Sequence, residues 1–125
     1  MKQTLPRLPD AELEVMQALW RCEAPAARTD VEQKLDPHHP MAATTLLTLL
    51  SRLADKNFVA VQKQGRRSLY TPLVPQADYQ AARSGTFIQK VFRGDLPAFA
   101  AALCSSGLTQ EDLDELRDLL QKGEL

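Results

Sequence analysis

Residues 44–72 read TTLLTLLSRLADKNFVAVQKQGRRSLYTP, and the period of their apolar residues changes partway along. Leu46, Leu49, Leu50 and Leu53 stand at i, i+3, i+4 and i+7, one stripe of an α-helix predicted from about Ala42 to Lys56. The segments FVAVQK, QGRR and SLYTPLV then read as strand, turn and strand. Val59, Val61, Leu69 and Tyr70 favour strand, and Gly65 is able to take a positive φ in the turn. At about 100° per residue, Thr45, Thr48 and Arg52 fall together away from the stripe, with Thr44 beside them. Leu47 sits near the stripe's edge and is expected to be partly exposed. Each threonine costs the helix some tenths of a kcal/mol against alanine, roughly 0.5. Three of them in five positions ask for a use; a solvated face is the plainer alternative.

Upstream, LPDAELEVMQALW opens a first helix, with Pro9 and Asp10 suited to its first turn. Leu13, Met16 and Trp20 recur on one face with Leu19 beside them, and Pro25 stops the pattern. After a short extended link, Thr29 to Glu32 has the form of a capping box that opens a second, brief helix with Val31 and Leu35 inward. DPHHP ends it. Three short helices followed by a hairpin make a winged helix-turn-helix: mostly α with a small β-wing. In that arrangement helix 3 enters the DNA major groove and the wing lies along the backbone.

Charge fits that placement. The formal net charge of the 125 residues is −1, yet residues 52–67 hold Arg52, Lys56, Lys63, Arg66 and Arg67 against Asp55 alone, a balance of 5 − 1 = +4. A local basic patch on a near-neutral chain suits contact with a polyanion at one face, and a merely solvated surface is the alternative. Lys63, Arg66 and Arg67 are the candidates for phosphate contact; Thr45 and Thr48 suit base edges or a thymine methyl, and Arg52 a phosphate or a guanine.

Pro72 and Pro75 mark a boundary, giving expected domains at 1–75 and 76–125. The second reads as three helices: QADYQAARSGTFIQKVF, LPAFAAALCS and TQEDLDELRDLLQK, the last with a capping box from Thr109 to Asp112. Phe87, Val91, Phe99 and Leu103 form one apolar set and Leu113, Leu116 and Leu120 another. About fifty residues bury such stripes poorly alone. Pairing with a second copy is the favoured solution, and packing on the chain's own first domain the alternative.

Other chemistry is missing from the sequence. Cys22 and Cys104 lie far apart, with no paired metal spacing and no disulfide framework, so a reducing, cytoplasmic setting is expected. No apolar run reaches the roughly 18 residues of a membrane span, and the N-terminus has no signal segment. His38 and His39 are adjacent in a proline-flanked loop and read as turn residues rather than metal ligands. No nucleophile elbow and no glycine-rich phosphate loop is present, so no enzyme, cofactor or metal is expected.

AELEVMQALW, TLLTLLSRL, GRRSLYTPL, TFIQKVFRGD and LDELRDLL, in this order and spacing, resemble the penicillinase-repressor family (BlaI/MecI/CopY) of bacterial winged-helix regulators. The resemblance implies a homodimer with an N-terminal DNA-binding domain and a C-terminal helical dimerisation domain. It implies repression from dyad operators and release when a membrane sensor-protease triggers cleavage of the dimerisation domain. Thr45, Thr48 and Arg52 fall on matching positions of the family's groove-contacting helix, whereas Thr44 and Leu47 stand where the β-lactamase repressors carry Lys and Arg. The family's Asn-Phe cleavage bond corresponds to Ala102-Leu103, and QKGEL lacks the cysteine pair of the copper-responsive branch. Beta-lactam resistance and control of a neighbouring peptidase or transport operon both fit. Two rival readings keep the fold: a regulator answering to a small ligand, and a protein-interaction module without DNA.

Overall fold

The first unit is organised around the end of the leucine-striped helix. In the computed structural model, which describes residues 5–123, the elements run α1 (Asp10–Trp20), β1 (Ala26–Ala27), α2 (Arg28–Lys34), α3 (Ala43–Asp55), β2 (Val59–Gln64), β3 (Arg67–Pro72), α4 (Gln76–Phe92), α5 (Leu96–Cys104) and α6 (Gln110–Lys122). The last two residues of QKGEL lie outside the described residues. α3 buries Leu46, Leu49, Leu50 and Leu53 as the spacing predicts. It stops at Asn57, which takes the left-handed conformation at φ 64°. The Asn57 N–H donates to the Ala54 carbonyl at 3.0 Å and the Phe58 N–H to the Leu53 carbonyl at 2.9 Å. This pair of bonds is a Schellman motif; asparagine is the second choice after glycine for its left-handed position. The chain therefore leaves α3 and enters β2 with Phe58 already pressed into the core, 1% exposed.

β2 and β3 pair antiparallel from Val59↔Pro72 to Gln64↔Arg67, which leaves Gly65 and Arg66 as a two-residue turn. Gly65 has φ 65° and Arg66 is not among the positive-φ residues, the pattern of a type II′ turn with glycine first. The sheet has a third strand where the sequence predicts only an extended link. Ala26 and Ala27 pair with Tyr70 and Leu69, giving the order β1-β3-β2. Two alanines carry little strand signal; the pairing is visible only in three dimensions.

That strand also corrects the start of α2. The helix begins at Arg28, straight off β1, and the Ala27 N–H donates to Asp30 Oδ2 at 2.9 Å. Thr29 lies inside the first turn and exposed, so the expected Thr29–Glu32 box does not form. α1 is corrected too. Met16 and Leu19 are buried, but Val15, Ala18 and Glu12 complete the inward face, while Leu13 and Trp20 are only partly buried at its edges.

Glu12 is 3% exposed, and Lys56 Nζ reaches its Oε1 at 2.5 Å. The bond ties the C-terminal end of α3 to α1. Lys56→Ala would leave a buried carboxylate without its cation. We expect a loss of about 1–3 kcal/mol in urea unfolding, below the value for a fully buried pair because Lys56 is 37% exposed on its side chain. Lys56→Arg should recover most of it.

The chain divides into compact units at Arg83/Ser84, inside α4. The first turns of α4, just after Pro72 and Pro75, pack into the first core. Tyr79 is 4% exposed there. Its hydroxyl accepts from the Leu8 N–H at 2.9 Å, and its ring lies 5.8 Å from Phe58 and 6.1 Å from Trp20. Trp20 Nε1 donates to the Val74 carbonyl at 2.9 Å.

The second unit is built differently. Thr109 and Asp112 cap α6 reciprocally, each bond 3.0 Å, as the sequence indicates. Gly123 ends α6 at φ 67°, and Asp95 caps α5 through the Ala98 N–H. Phe92 stacks edge-on between Phe87 and Phe99, with centroids 5.8 and 5.3 Å away. Among the described residues from Gln80 onward, none is fully buried.

Candidate nucleic-acid interface

Four features of the first unit make a surface suited to duplex DNA. The first is the outer side of α3: Thr44, Thr45, Thr48 and Arg52 are all exposed, opposite four buried leucines. Leu47 joins them at 43% exposure, an apolar contact on an otherwise polar face. Thr48 Oγ1 donates to the Thr44 carbonyl one turn back at 3.0 Å. This bond uses the hydroxyl proton, so Thr48 turns acceptor lone pairs and a methyl outward; thymine's methyl and a base amino donor are the groups that match.

The second feature is the wing, where Lys63, Arg66 and Arg67 are exposed. Among the described residues no carboxylate pairs with these three or with Arg52. Four cations left without counter-charge on one small unit make an electrostatic footprint for an anion. The third feature is a subtraction: Lys56, counted in the patch from sequence, is committed to Glu12 and leaves it.

The fourth feature was missed in the sequence. A cleft of about 210 Å³ opens between β1, the start of α2 and the wing, lined by Ala27, Arg28, Thr29, Arg66, Arg67 and Ser68. Arg28 sits far from the 52–67 run, so a windowed charge count does not join them. The β1–β3 pairing does.

His38 and His39 are in the α2–α3 turn, where the His38 N–H donates to Asp36 Oδ1 and His39 Nδ1 lies 3.1 Å from Glu14 Oε1. Among the described residues no group of three or more His, Cys, Asp or Glu is placed to hold a metal. Cys22 is half-buried and its thiol donates to the Ala18 carbonyl; burial, then the charge of Asp30, push its pKa up, partly offset by Lys34. Cys104 is exposed. No helix among the described residues is long and apolar enough to cross a membrane.

In the second unit Phe99, Leu103, Leu113 and Leu116 are half-buried within their own unit, whereas Phe87, Val91 and Leu120 are exposed at 48%, 58% and 58%. Leu96, Leu108 and Leu119 are exposed as well and were not in the predicted stripes. Ala102 is exposed and precedes Leu103 in the last turn of α5.

Comparison with known proteins agrees with this arrangement. The family model for the penicillinase repressor matches residues 8–122. The penicillinase repressor of Bacillus licheniformis is 29% identical over 119 residues, 94% of this chain and 92% of that protein. The methicillin resistance regulatory protein MecI of Mammaliicoccus sciuri is 29% identical over 113 residues, 90% of this chain and 91% of its own. The solution structure of the DNA-binding domain of the repressor BlaI superposes with a TM-score of 0.51 at 34% identity, covering 63% of this chain and 94% of that domain. With a match running through both units and a winged helix at its N-terminal end, the chain belongs to the penicillinase repressor family.

Proposed function

We infer that this chain is a transcriptional repressor rather than an enzyme, and that two copies bind a dyad site on duplex DNA in the cytoplasm. The observation that carries this reading is the sidedness of α3: Leu46, Leu49, Leu50 and Leu53 are buried while Thr44, Thr45, Thr48 and Arg52 face solvent, with Leu47 exposed beside them. The unpaired cations of the wing stand in the same unit and supply the electrostatic half of the contact. Phosphate contacts from Lys63, Arg66 and Arg67 fix register; α3 reads bases in the major groove.

The exposed apolar side chains of the second unit support dimerisation. A unit with no fully buried residue among those described gains its core from a partner, and a second copy presents the same Phe87, Val91 and Leu120 in return. Two wings and two α3 helices on one face of the duplex sit about one helical turn apart, roughly 34 Å. A membrane sensor-protease system that cuts this unit at Ala102-Leu103 would end repression by separating the half-sites. That bond lies in a helix, so the cut requires the end of α5 to open.

The test is a salt titration of binding to a duplex taken from upstream of the protein's own gene. We expect log affinity to fall linearly with log salt, with a slope of about −0.9 per phosphate neutralised. Arg66→Ala and Arg67→Ala should each reduce the slope by about 0.9 per protomer, while Thr45→Ala lowers discrimination and leaves the slope unchanged. Absence of binding at low salt would overturn the reading.

A further inference from the structure

The cleft between α2 and the wing holds a cation with a partner to lose. Arg28, Arg66 and Arg67 line one opening with Ala27, Thr29 and Ser68, and among the described residues no carboxylate lines it. Arg66 and Arg67 pair with no carboxylate among the described residues. Arg28 is different: its Nη1 is bonded to Glu32 Oε1 one turn along α2. Both side chains of that pair are 34% exposed, so water and ions reach it.

The sheet explains why these residues meet. Ala27 pairs with Leu69 in an antiparallel register, so the next residue, Arg28, comes off the strand level with Ser68. Ser68 in turn pairs with Lys63 across the hairpin. α2 starts at Arg28, which turns the chain out of the sheet one residue pair short of the wing's turn. The opening, at about 210 Å³, is far above the roughly 10–15 Å³ of such volume that one water needs and has room for a phosphate group.

We propose that this cleft seats a backbone phosphate of the duplex, and that Arg28 exchanges Glu32 for that phosphate on binding. Arg28 is then a third-element phosphate contact from α2, beside α3 and the wing. Glu32 is a competitor that lowers affinity by holding Arg28 in the free protein. Arginine suits the exchange, since its fork meets carboxylate and phosphate in the same two-pronged geometry. The proposal rests on the DNA-binding reading above and adds to it a site and a tuning pair.

The experiment is a double-mutant cycle on the full chain, with the same upstream duplex as probe and binding followed by fluorescence anisotropy across a salt series. Arg28→Ala should weaken binding about tenfold at low salt and reduce the salt slope by about 0.9 per protomer. Glu32→Gln alone should tighten binding several-fold. In the Arg28→Ala background the same Glu32→Gln change should have almost no effect, because the competitor then has nothing to hold. An equal gain in both backgrounds would make Glu32 a long-range repulsive charge only and would overturn the exchange. An unchanged slope in Arg28→Ala, with wild-type binding intact, would remove the seat while leaving the DNA reading standing; no wild-type binding at low salt would remove the DNA reading itself. Inorganic phosphate, added at constant ionic strength, should compete no better than chloride. A saturable phosphate effect without DNA, lost in Arg28→Ala, would assign the cleft to a free anion and overturn the proposal. Thermal unfolding of each variant should stay close to that of the wild type, since an i, i+4 pair that water reaches on a helix contributes little to stability.

Discussion

Placing aspartate at both Val91 and Leu120 should yield a folded monomer by sedimentation velocity at about 10 μM, and affinity for the upstream duplex should fall by about 10²–10⁴. Both side chains are 58% exposed in the single chain, so the substitutions cost the isolated fold little. In the proposed dimer they put charges into an apolar contact, where an unpaired carboxylate is strongly unfavourable. A stable interface needs about 1,200–2,000 Å² of buried surface, which a few exposed side chains do not supply alone. The half-buried Phe99, Leu103, Leu113 and Leu116 lie among them in the same unit and are available to complete it. Loss of the dimer would leave each first unit able to bind one half-site, without the effective concentration that the second provides. A variant that remains a dimer with wild-type affinity would show that these two positions lie outside the interface.

Phe58→Ala carries the largest expected stability loss, about 3–5 kcal/mol by urea unfolding. Phe58 is 1% exposed and sits where three elements meet. Its N–H closes the end of α3 on Leu53, its carbonyl accepts from the Leu73 N–H at 2.8 Å after the wing, and its ring packs edge-on against Tyr79 of α4. Truncation leaves a cavity beside α3 and the base of the hairpin together. Against a typical total of about 5–15 kcal/mol, the first unit would lose much of its margin. DNA binding should then weaken at temperatures where the variant is still folded, because the helix and the wing are no longer held in one register. A loss below about 1 kcal/mol would mean that Phe58 is replaceable and that the Schellman end of α3 alone sets the entry to β2.

Much of this architecture was legible along the chain, and the gaps have physical causes. The leucine stripe of α3 is amphipathic enough to fix both its helical state and its buried side, so the exposure of Thr44, Thr45, Thr48 and Arg52 follows from spacing alone. The wing was legible because glycine in a two-residue turn between β-branched runs has few other uses. The bounds of α4 at Gln76 and Phe92 follow from Pro75 before it and from Gly94 soon after. By contrast, β1 is two alanines, and nothing in Ala26-Ala27 states that Tyr70 and Leu69 will be its partners. Missing that pairing also misplaced the α2 cap and hid Arg28 from the basic patch. Lys56 counts in the basic run of 52–67 for a related reason: its partner Glu12 is 44 residues away, and charge counting has no view of such a distance. Tyr79 likewise belongs to the first core through contacts with Leu8, Trp20 and Phe58 that no local pattern contains.

The most direct test of the account is to follow backbone amide shifts of the full chain while the upstream duplex is added. The account predicts that the largest changes fall on Thr44, Thr45, Thr48 and Arg52 of α3 and on residues 63–67 of the wing, with Arg28 and Thr29 moving alongside them and the buried Leu46, Leu49, Leu50 and Leu53 changing little. Changes that leave the outer side of α3 and the wing unaffected while binding occurs elsewhere would contradict it.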